Sequence, residues 1–283
     1  MASRGTVLIS GASRGLGRSV AGELARRGFT VLAGVRREED ANAVLKGADG
    51  DLRPLILDVT SSTSIASAET EVRKATAEHG LAGLVNNAAV FLLGPFEQTP
   101  LPTAQAVFDV NLMGVIALTQ AFLPLLRVGR GRIVNISSVN GRLSFPFSSF
   151  YSASKYALEG LSDALRVELQ PWGIEVIVVE PGVTRTDIRA EGARGWTTLR
   201  DSLSAAERAL YETPYNALQQ ILPGIDADAA DHTHMVEAVH SALTASTPDT
   251  RYLAGPDTVA LMEMAALPDR DRDAAFGAMF GTV

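Results

Sequence analysis

Short runs of Val, Ile and Leu recur along the chain, each followed by a longer segment whose apolar residues return every three or four positions. The runs are TVLIS (6–10), TVLAG (30–34), PLILD (54–58), GLVNN (83–87), RIVNIS (132–137), EVIVVE (175–180) and RYLAG (251–255). Nearly continuous apolar runs predict strands covered on both faces, and their alternation with helical periods predicts a parallel sheet with crossover helices. RSVAGELARR closes at Gly28, and TSIASAETEVRKATAE follows a capping region at Thr60 and Ser61. A further helix carries the stripe Ala157, Leu158, Leu161, Ala164, Leu165 and Leu169, and ends at Pro171 and Gly173. The alternation breaks after Pro181-Gly182. From 188 to 231 the chain is polar, Ala-rich and without strand pattern, which predicts a lid-like excursion, helical around SAAERALYE, over the carboxyl ends of the strands. No repeat or linker divides the rest, so residues 1–283 read as one α/β domain.

Composition narrows the function. The chain has 283 residues, 46% of them apolar, enough for a sizeable core. A formal net charge of −7 argues against nucleic acid or an anionic membrane as partner, since either wants a basic surface. With no cysteine there is no disulfide, no thiolate metal site and no thiol nucleophile. MASRGTVLIS lacks a signal-peptide pattern, and the longest apolar run, VIALTQAFLPLL, holds Gln120 and Pro124 and is too short to span a bilayer. The expectation is a soluble, cytoplasmic protein without a membrane partner.

The turn after the first strand, SGASRGLG, places Gly11, Gly15 and Gly17 at a strand-to-helix junction. Its spacing is G-x-x-x-G-x-G, yet the physical use matches other dinucleotide turns: glycine lets backbone approach a diphosphate, and the helix start offers free N–H groups. The same residues fit G-x-S-x-G, a nucleophile elbow with Ser13 as nucleophile and His232, His234 or His240 as base. That elbow would fall on the first strand, with no earlier strand to supply an oxyanion loop. About twenty residues on, where a carboxylate would bind a ribose 2′-hydroxyl, the chain instead reads Gly34-Val35-Arg36-Arg37. Arg14, Arg36 and Arg37 suit a 2′-phosphate, so NADP(H) is expected in preference to NAD(H).

Tyr151 and Lys155 stand four residues apart and share one helix face. An ammonium beside a phenol stabilises the phenolate and should lower a pKa that starts near ~10, making tyrosine a proton donor or acceptor for a carbonyl–alcohol pair. Around this pair the chain resembles the short-chain dehydrogenase/reductase family over nearly its whole length. The marks are SGASRGLG, LDVT at Asp58, NNAA at 86–89, DVNLMG at Asn111, NISS at 135–138, YSASK at 151–155 and PGVTRT at 181–186.

The resemblance implies a Rossmann fold with a seven-stranded parallel sheet of order 3-2-1-4-5-6-7. It implies that Ser138 holds the substrate carbonyl, Tyr151 moves the proton, Lys155 binds the nicotinamide ribose, and Asn111 anchors a water line. It further implies cofactor contacts from Gly11, Ser13, Arg14, Gly15, Leu16 and Gly17, from Asp58 and Val59 at the adenine, from Asn87 and Ala88, and from Pro181, Gly182, Thr184 and Thr186 at the carboxamide. Departures are small: Ser10 replaces Thr, Ala89 replaces Gly, and Thr184 stands where Val or Ile is usual. The expected activity is NADP(H)-dependent interconversion of an alcohol and a ketone or aldehyde. The carboxyl-terminal stretch is similar to the 17β-hydroxysteroid and retinol dehydrogenase subgroup, which implies a bulky apolar substrate. A catalytically idle nucleotide sensor is the alternative, though the Ser138, Tyr151 and Lys155 set argues against it. Phe91, Leu92, Phe145, Phe147 and Phe150 are candidate pocket residues, and Trp196 and Tyr211 candidate lid residues. His232 and His234 beside Asp231 invite a metal reading, but an acidic helix start explains them better and no metal is expected. A homodimer or homotetramer is expected from family habit, through the helices around 111–126 and 154–169.

Overall fold

The computed structural model describes residues 4–281; Met1–Ser3, part of the stretch searched for a signal peptide, and Thr282 and Val283 lie outside the described residues. In the described chain, strands β1 (Thr6–Ile9), β2 (Thr30–Val35), β3 (Leu52–Ile56), β4 (Gly83–Asn86), β5 (Arg132–Ile136), β6 (Glu175–Pro181) and β7 (Arg251–Ala254) form one parallel sheet of order β3-β2-β1-β4-β5-β6-β7. The helices are α1 (Gly15–Arg26), α2 (Glu38–Leu45), α3 (Ser62–Thr76), α4 (Leu101–Phe108), α5 (Gly114–Gly129), α6 (Ser149–Glu168), α7 (Asp187–Ser202), α8 (Ala205–Leu210), α9 (Glu212–Ala227), α10 (Thr233–Thr244), α11 (Thr258–Ala265) and α12 (Asp269–Phe280).

Side chains alternate along each strand, so one apolar run serves two cores. Val7 and Ile9 face α1 and α10, packing with Val20, Leu24 and Val239. Leu8 faces the other layer, with Val72 of α3 and Leu118 and Phe122 of α5. Each such large side chain, fully buried, contributes on the order of 1.5–3 kcal/mol by removal from water. β3 begins at Leu52, two residues before the apolar run suggested, and holds Pro54. It is an edge strand, where a missing N–H costs the sheet least.

α4 and α5 are joined by a π-helical turn, Asp109–Met113, that places Asn111 inside a continuous helical stretch, Leu101–Gly129. That stretch is long and apolar enough, by length and composition, to cross a membrane, a test that the core helix of an α/β protein also passes. Here Leu118, Phe122, Leu125 and Leu126 pack into the second core.

The predicted excursion is helical almost throughout. α7 and α9 extend well beyond the segment the composition suggested, and α8 is held by a capping box between Ser204 and Glu207. A third core joins it to the loop before α6 and to the carboxyl-terminal helices, through Trp196, Tyr215, Leu218, Leu143, Phe276 and Phe280.

Candidate active site

At the carboxyl ends of the strands a cavity of about 1000 Å³ opens between the glycine turn, the start of α6 and α7. Its two halves differ in chemistry. One half is built from the turns after β1, β2, β3 and β4. Gly11, Ser13, Arg14, Gly15, Leu16, Gly17, Arg36, Asp58, Val59, Asn87 and Ala88 all line it.

The geometry of the glycine turn follows from close approach. A Cβ at Gly17 would stand 2.3 Å from the Gly11 carbonyl oxygen and 2.4 Å from Asn87 Nδ2. Asn87 Nδ2 donates to the carbonyls of Ser10 and Gly11, both at 3.0 Å, and the Ser10 hydroxyl accepts from the N–H groups of Asn87 and Ala88. The turn is therefore pinned to β4. α1 starts at Gly15 with no side-chain cap, leaving its first N–H groups at the cavity wall, while Gly15 has open space around its Cα. An uncapped helix start with unobstructed backbone fits the diphosphate of a dinucleotide.

The three arginines part company. Arg36 lines the cavity and has no ion pair or hydrogen bond among the described residues. Arg14 also lines it but forms an ion pair with Glu191 of α7. Arg37, expected beside Arg36, is instead drawn to the start of α2, where its guanidinium binds Asp40 at 3.2 Å and lies 3.5 Å from Glu39. The acidic first turn of that helix offers a nearer partner than the cavity does.

The other half gathers Ser138, Tyr151 and Lys155 beneath an apolar wall of Phe91, Leu93, Phe145, Leu218, Leu261 and Phe280. The Ser138 hydroxyl accepts from the Asn140 N–H at 3.1 Å, and Asn140 Nδ2 donates to the Ser148 and Ser152 hydroxyls, both at 3.2 Å. Asn140 thus clamps the serine to the start of α6, a role no pattern in the chain announced. Phe91 meets the Tyr151 ring edge-on, with centroids 4.7 Å apart. Lys155, 2% exposed, donates to the Ile136 carbonyl at 2.8 Å and sits 5.7 Å from the centre of the Tyr151 ring.

Here the electrostatic expectation is corrected. Burial pushes the Tyr151 phenol up to about 12, outweighing the hydrogen bond with Ser138 and the positive charge of Arg189, both of which pull it down. The Lys155 ammonium lies against the ring and the Ile136 carbonyl, and burial pushes it down to about 8. Tyr151 is a neutral phenol across the physiological range, suited to donate a proton.

Asn111 stands behind the cavity. Its amide exchanges two hydrogen bonds with the backbone of Val90, at 2.8 and 3.0 Å, and donates to the Ser154 hydroxyl at 3.1 Å. Pro181, Gly182, Thr184 and Thr186 line the far edge. Asp257, which the sequence did not single out, fixes that edge by accepting from the Val183 N–H at 2.7 Å.

Several expected residues lie elsewhere. Phe147 packs against Trp196, Tyr211 and Phe280 rather than lining the cavity, and Phe150 stacks on Phe96. Leu92 is not part of the lining, and Trp196 is buried against Tyr215. The carboxyl-terminal contributors Leu261 and Phe280 were missed, although Leu261 and Met264, and Phe276 and Phe280, carry helical spacing. His232 does not face Ser13: its Nδ1 lies 2.6 Å from the Ser19 hydroxyl and its Nε2 2.7 Å from the Arg185 carbonyl.

Residues 5–195 match the family model described as short chain dehydrogenase. The chain belongs to the short-chain dehydrogenase family. It is 38% identical over 276 residues to retinol dehydrogenase 16 of Rattus norvegicus, covering 95% of this chain and 87% of that protein. It is 37% identical over 264 residues to 17-beta-hydroxysteroid dehydrogenase type 6 of Bos taurus, covering 89% and 80%. The fold matches a short-chain dehydrogenase from Burkholderia cenocepacia solved in complex with NADP, with a TM-score of 0.73, 24% identity, and coverage of 98% of this chain and 99% of that one. The protein is thus an oxidoreductase acting on CH–OH groups, in a family whose fold binds nicotinamide cofactors.

Proposed function

We propose that this enzyme interconverts a secondary alcohol and a ketone, or an aldehyde, on a bulky apolar substrate, with NADP(H) as the preferred cofactor. The observation that carries the reading is the meeting of Ser138, Tyr151 and Lys155 at the junction of a polar, glycine-floored half-cavity and an apolar one. A bound nicotinamide nucleotide would supply or accept the hydride. Ser138, held by Asn140, orients the substrate oxygen, and Tyr151 gives that oxygen its proton or takes it back. Lys155, buried next to the ring, contributes positive charge as the phenol ionises. Phe91, Phe145 and the lid side chains exclude water from the reacting end. Support for the substrate class comes from the apolar wall and from the named retinoid and steroid activities of the two relatives. Support for NADP(H) comes from Arg36 and the absence of a carboxylate at the end of β2.

The test is a panel of retinoid, steroid, long-chain and short hydroxy-acid alcohols and their carbonyls, assayed with both nucleotides. Tyr151→Phe should bind nucleotide normally and lose turnover by at least ~10². Nucleotide binding without turnover across the whole panel in the unaltered protein would favour the sensor reading, and undiminished turnover in Tyr151→Phe would remove the phenol from the reaction.

A further inference from the structure

α6 carries four polar side chains at steps of four residues: Tyr151, Lys155, Glu159 and Asp163. Steps of four keep them on one helix face. Tyr151 lines the cavity, the next two are buried and the fourth reaches solvent: Lys155 is 2% and Glu159 6% exposed, whereas the Asp163 side chain is about half exposed. Nothing in the activity outlined above uses the lower half of this row, although burying a carboxylate is costly and needs a compensating partner.

Two elements converge on Glu159. From β7, Arg251 Nε lies 3.0 Å from Glu159 Oε2, while Arg251 Nη2 grips both oxygens of Asp163 at 2.8 and 2.9 Å. From β6, the fully buried Glu180 places Oε1 3.4 Å from the same Arg251 Nε, and its Oε2 lies 3.5 Å from Arg142. The other oxygen, Glu159 Oε1, is buried without a hydrogen-bond partner among the described residues, as is the Ser137 hydroxyl. Both crowd against Gly141, whose Cβ would stand 3.1 Å from Glu159 Oε1 and 2.8 Å from Ser137 Oγ. The carboxylate therefore lies directly under the Ser137–Ser138 turn and one helical turn from the lysine.

We propose that Glu159 is a positioning residue for the reaction: anchored by Arg251, its buried carboxylate holds the Lys155 ammonium in its charged form. Burial drives Lys155 toward the neutral amine, and Glu159 is the anion that opposes this. Two buried carboxylates sharing one guanidinium do not both stay ionised easily. Glu180 is pushed up to about 7 by burial and by Glu159, and it reaches the cluster from β6, whereas Glu159 alone stands on the Lys155 face of α6, one helical turn away. The charged and titratable groups facing this row are Tyr151, Asp163 and Arg166 on α6, Arg142 after β5, Glu180 on β6, Arg251 on β7 and Arg189 on α7.

The inference rests on Lys155 acting in the reaction as outlined above, and it is tested on the pH dependence of kcat/KM for carbonyl reduction. In the unaltered enzyme this quantity should fall as pH rises through about 8, as Lys155 loses its proton. Glu159→Gln should move that alkaline limb down by about one pH unit. Glu159→Met, which fills the same space without charge, carries the same expectation should the amide variant not fold. Glu159→Asp, which keeps the charge, should restore the wild-type limb. Glu180→Gln, perturbing the same cluster and the same Arg251, should leave the limb in place. A limb unmoved in Glu159→Gln, or moved equally in Glu180→Gln, overturns the proposal, because packing alone would then account for the cluster. Lys155→Met separates the two readings. Loss of turnover in Lys155→Met together with an unmoved limb in Glu159→Gln defeats only the role of Glu159, whereas retained turnover in Lys155→Met defeats the reading of the site itself.

Discussion

At Arg36 a guanidinium faces the cavity with no partner among the described residues, while its neighbour Arg37 is occupied by Asp40 and Arg14 by Glu191. A cation left unpaired at a cavity rim is available to an incoming phosphate, and a charge-assisted hydrogen bond of that kind contributes on the order of 1.5–3 kcal/mol. Arg36→Ala should therefore raise the KM for NADPH at least ~10-fold and that for NADH far less, by the usual conversion of free energy to affinity. Steady-state kinetics with each nucleotide decide it, and equal effects on both would remove the 2′-phosphate contact. The contrast among the three arginines also shows what the chain does and does not reveal. Three guanidiniums near one expected ribose are visible in order along the sequence. Which of them is spent on a carboxylate is not, because Glu191 lies far from Arg14 in sequence and meets it only after α7 crosses the cavity. The same holds for the phenol. A Tyr and a Lys one turn apart suggest mutual stabilisation, yet the burial that reverses the sign for Tyr151 is a property of the packed molecule.

Among the elements, α7 shows how the lid touches the reacting groups. Gly192 sits where a Cβ would stand 2.4 Å from the Phe91 ring, and that ring lies edge-on to Tyr151. Gly195, three residues on along the same helix, has nothing within 4 Å of the corresponding point. Helix propensity favours alanine over glycine by about 1 kcal/mol at either position, so sterics alone separate them. Gly195→Ala should keep or slightly raise Tm and leave turnover unchanged. Gly192→Ala forces the ring or the helix to move, at about 1–3 kcal/mol, and should cut kcat roughly tenfold as Phe91 shifts against Tyr151. Melting curves and turnover for the pair test the contact, and equal behaviour of the two variants would show that α7 is free to give way. The strands and the helices between them are legible in the chain because a doubly covered parallel sheet demands unbroken apolar runs. α7 and α9 are not: Gly192 and Gly195 in one and Pro214 and Pro223 in the other break the helical signal, and packing against Phe276 and Phe280 supplies what propensity lacks. The π-helical turn at Asp109–Met113, where Asn111 bonds Val90, leaves no mark in the chain that separates it from an ordinary helical turn.

For the whole molecule, the three cores account for most of the long apolar stretches, yet some large apolar side chains stay exposed on α5 and α6. Met113 before α5, Val128 near its end, and Tyr156 and Val167 on α6 are 53%, 57%, 44% and 70% exposed. α6 carries Tyr151, and α5 follows directly on the turn that carries Asn111, so whatever covers these residues also braces the site. We predict a two-fold pairing of α5 and α6 with their counterparts in a second copy, because self-complementary contact buries like faces together. A stable interface of this kind removes on the order of 1,200–2,000 Å² from water. Light scattering at micromolar concentration should report at least a dimer, and Val167→Glu with Tyr156→Glu should dissociate it by placing four carboxylates in one apolar seam. Turnover of the dissociated form should drop while its nucleotide binding persists, since β1 and the glycine turn lie on the other side of the sheet's centre from α6. A monomeric wild-type protein of full activity would show that α5 and α6 need no partner to hold Asn111 and Tyr151 in place.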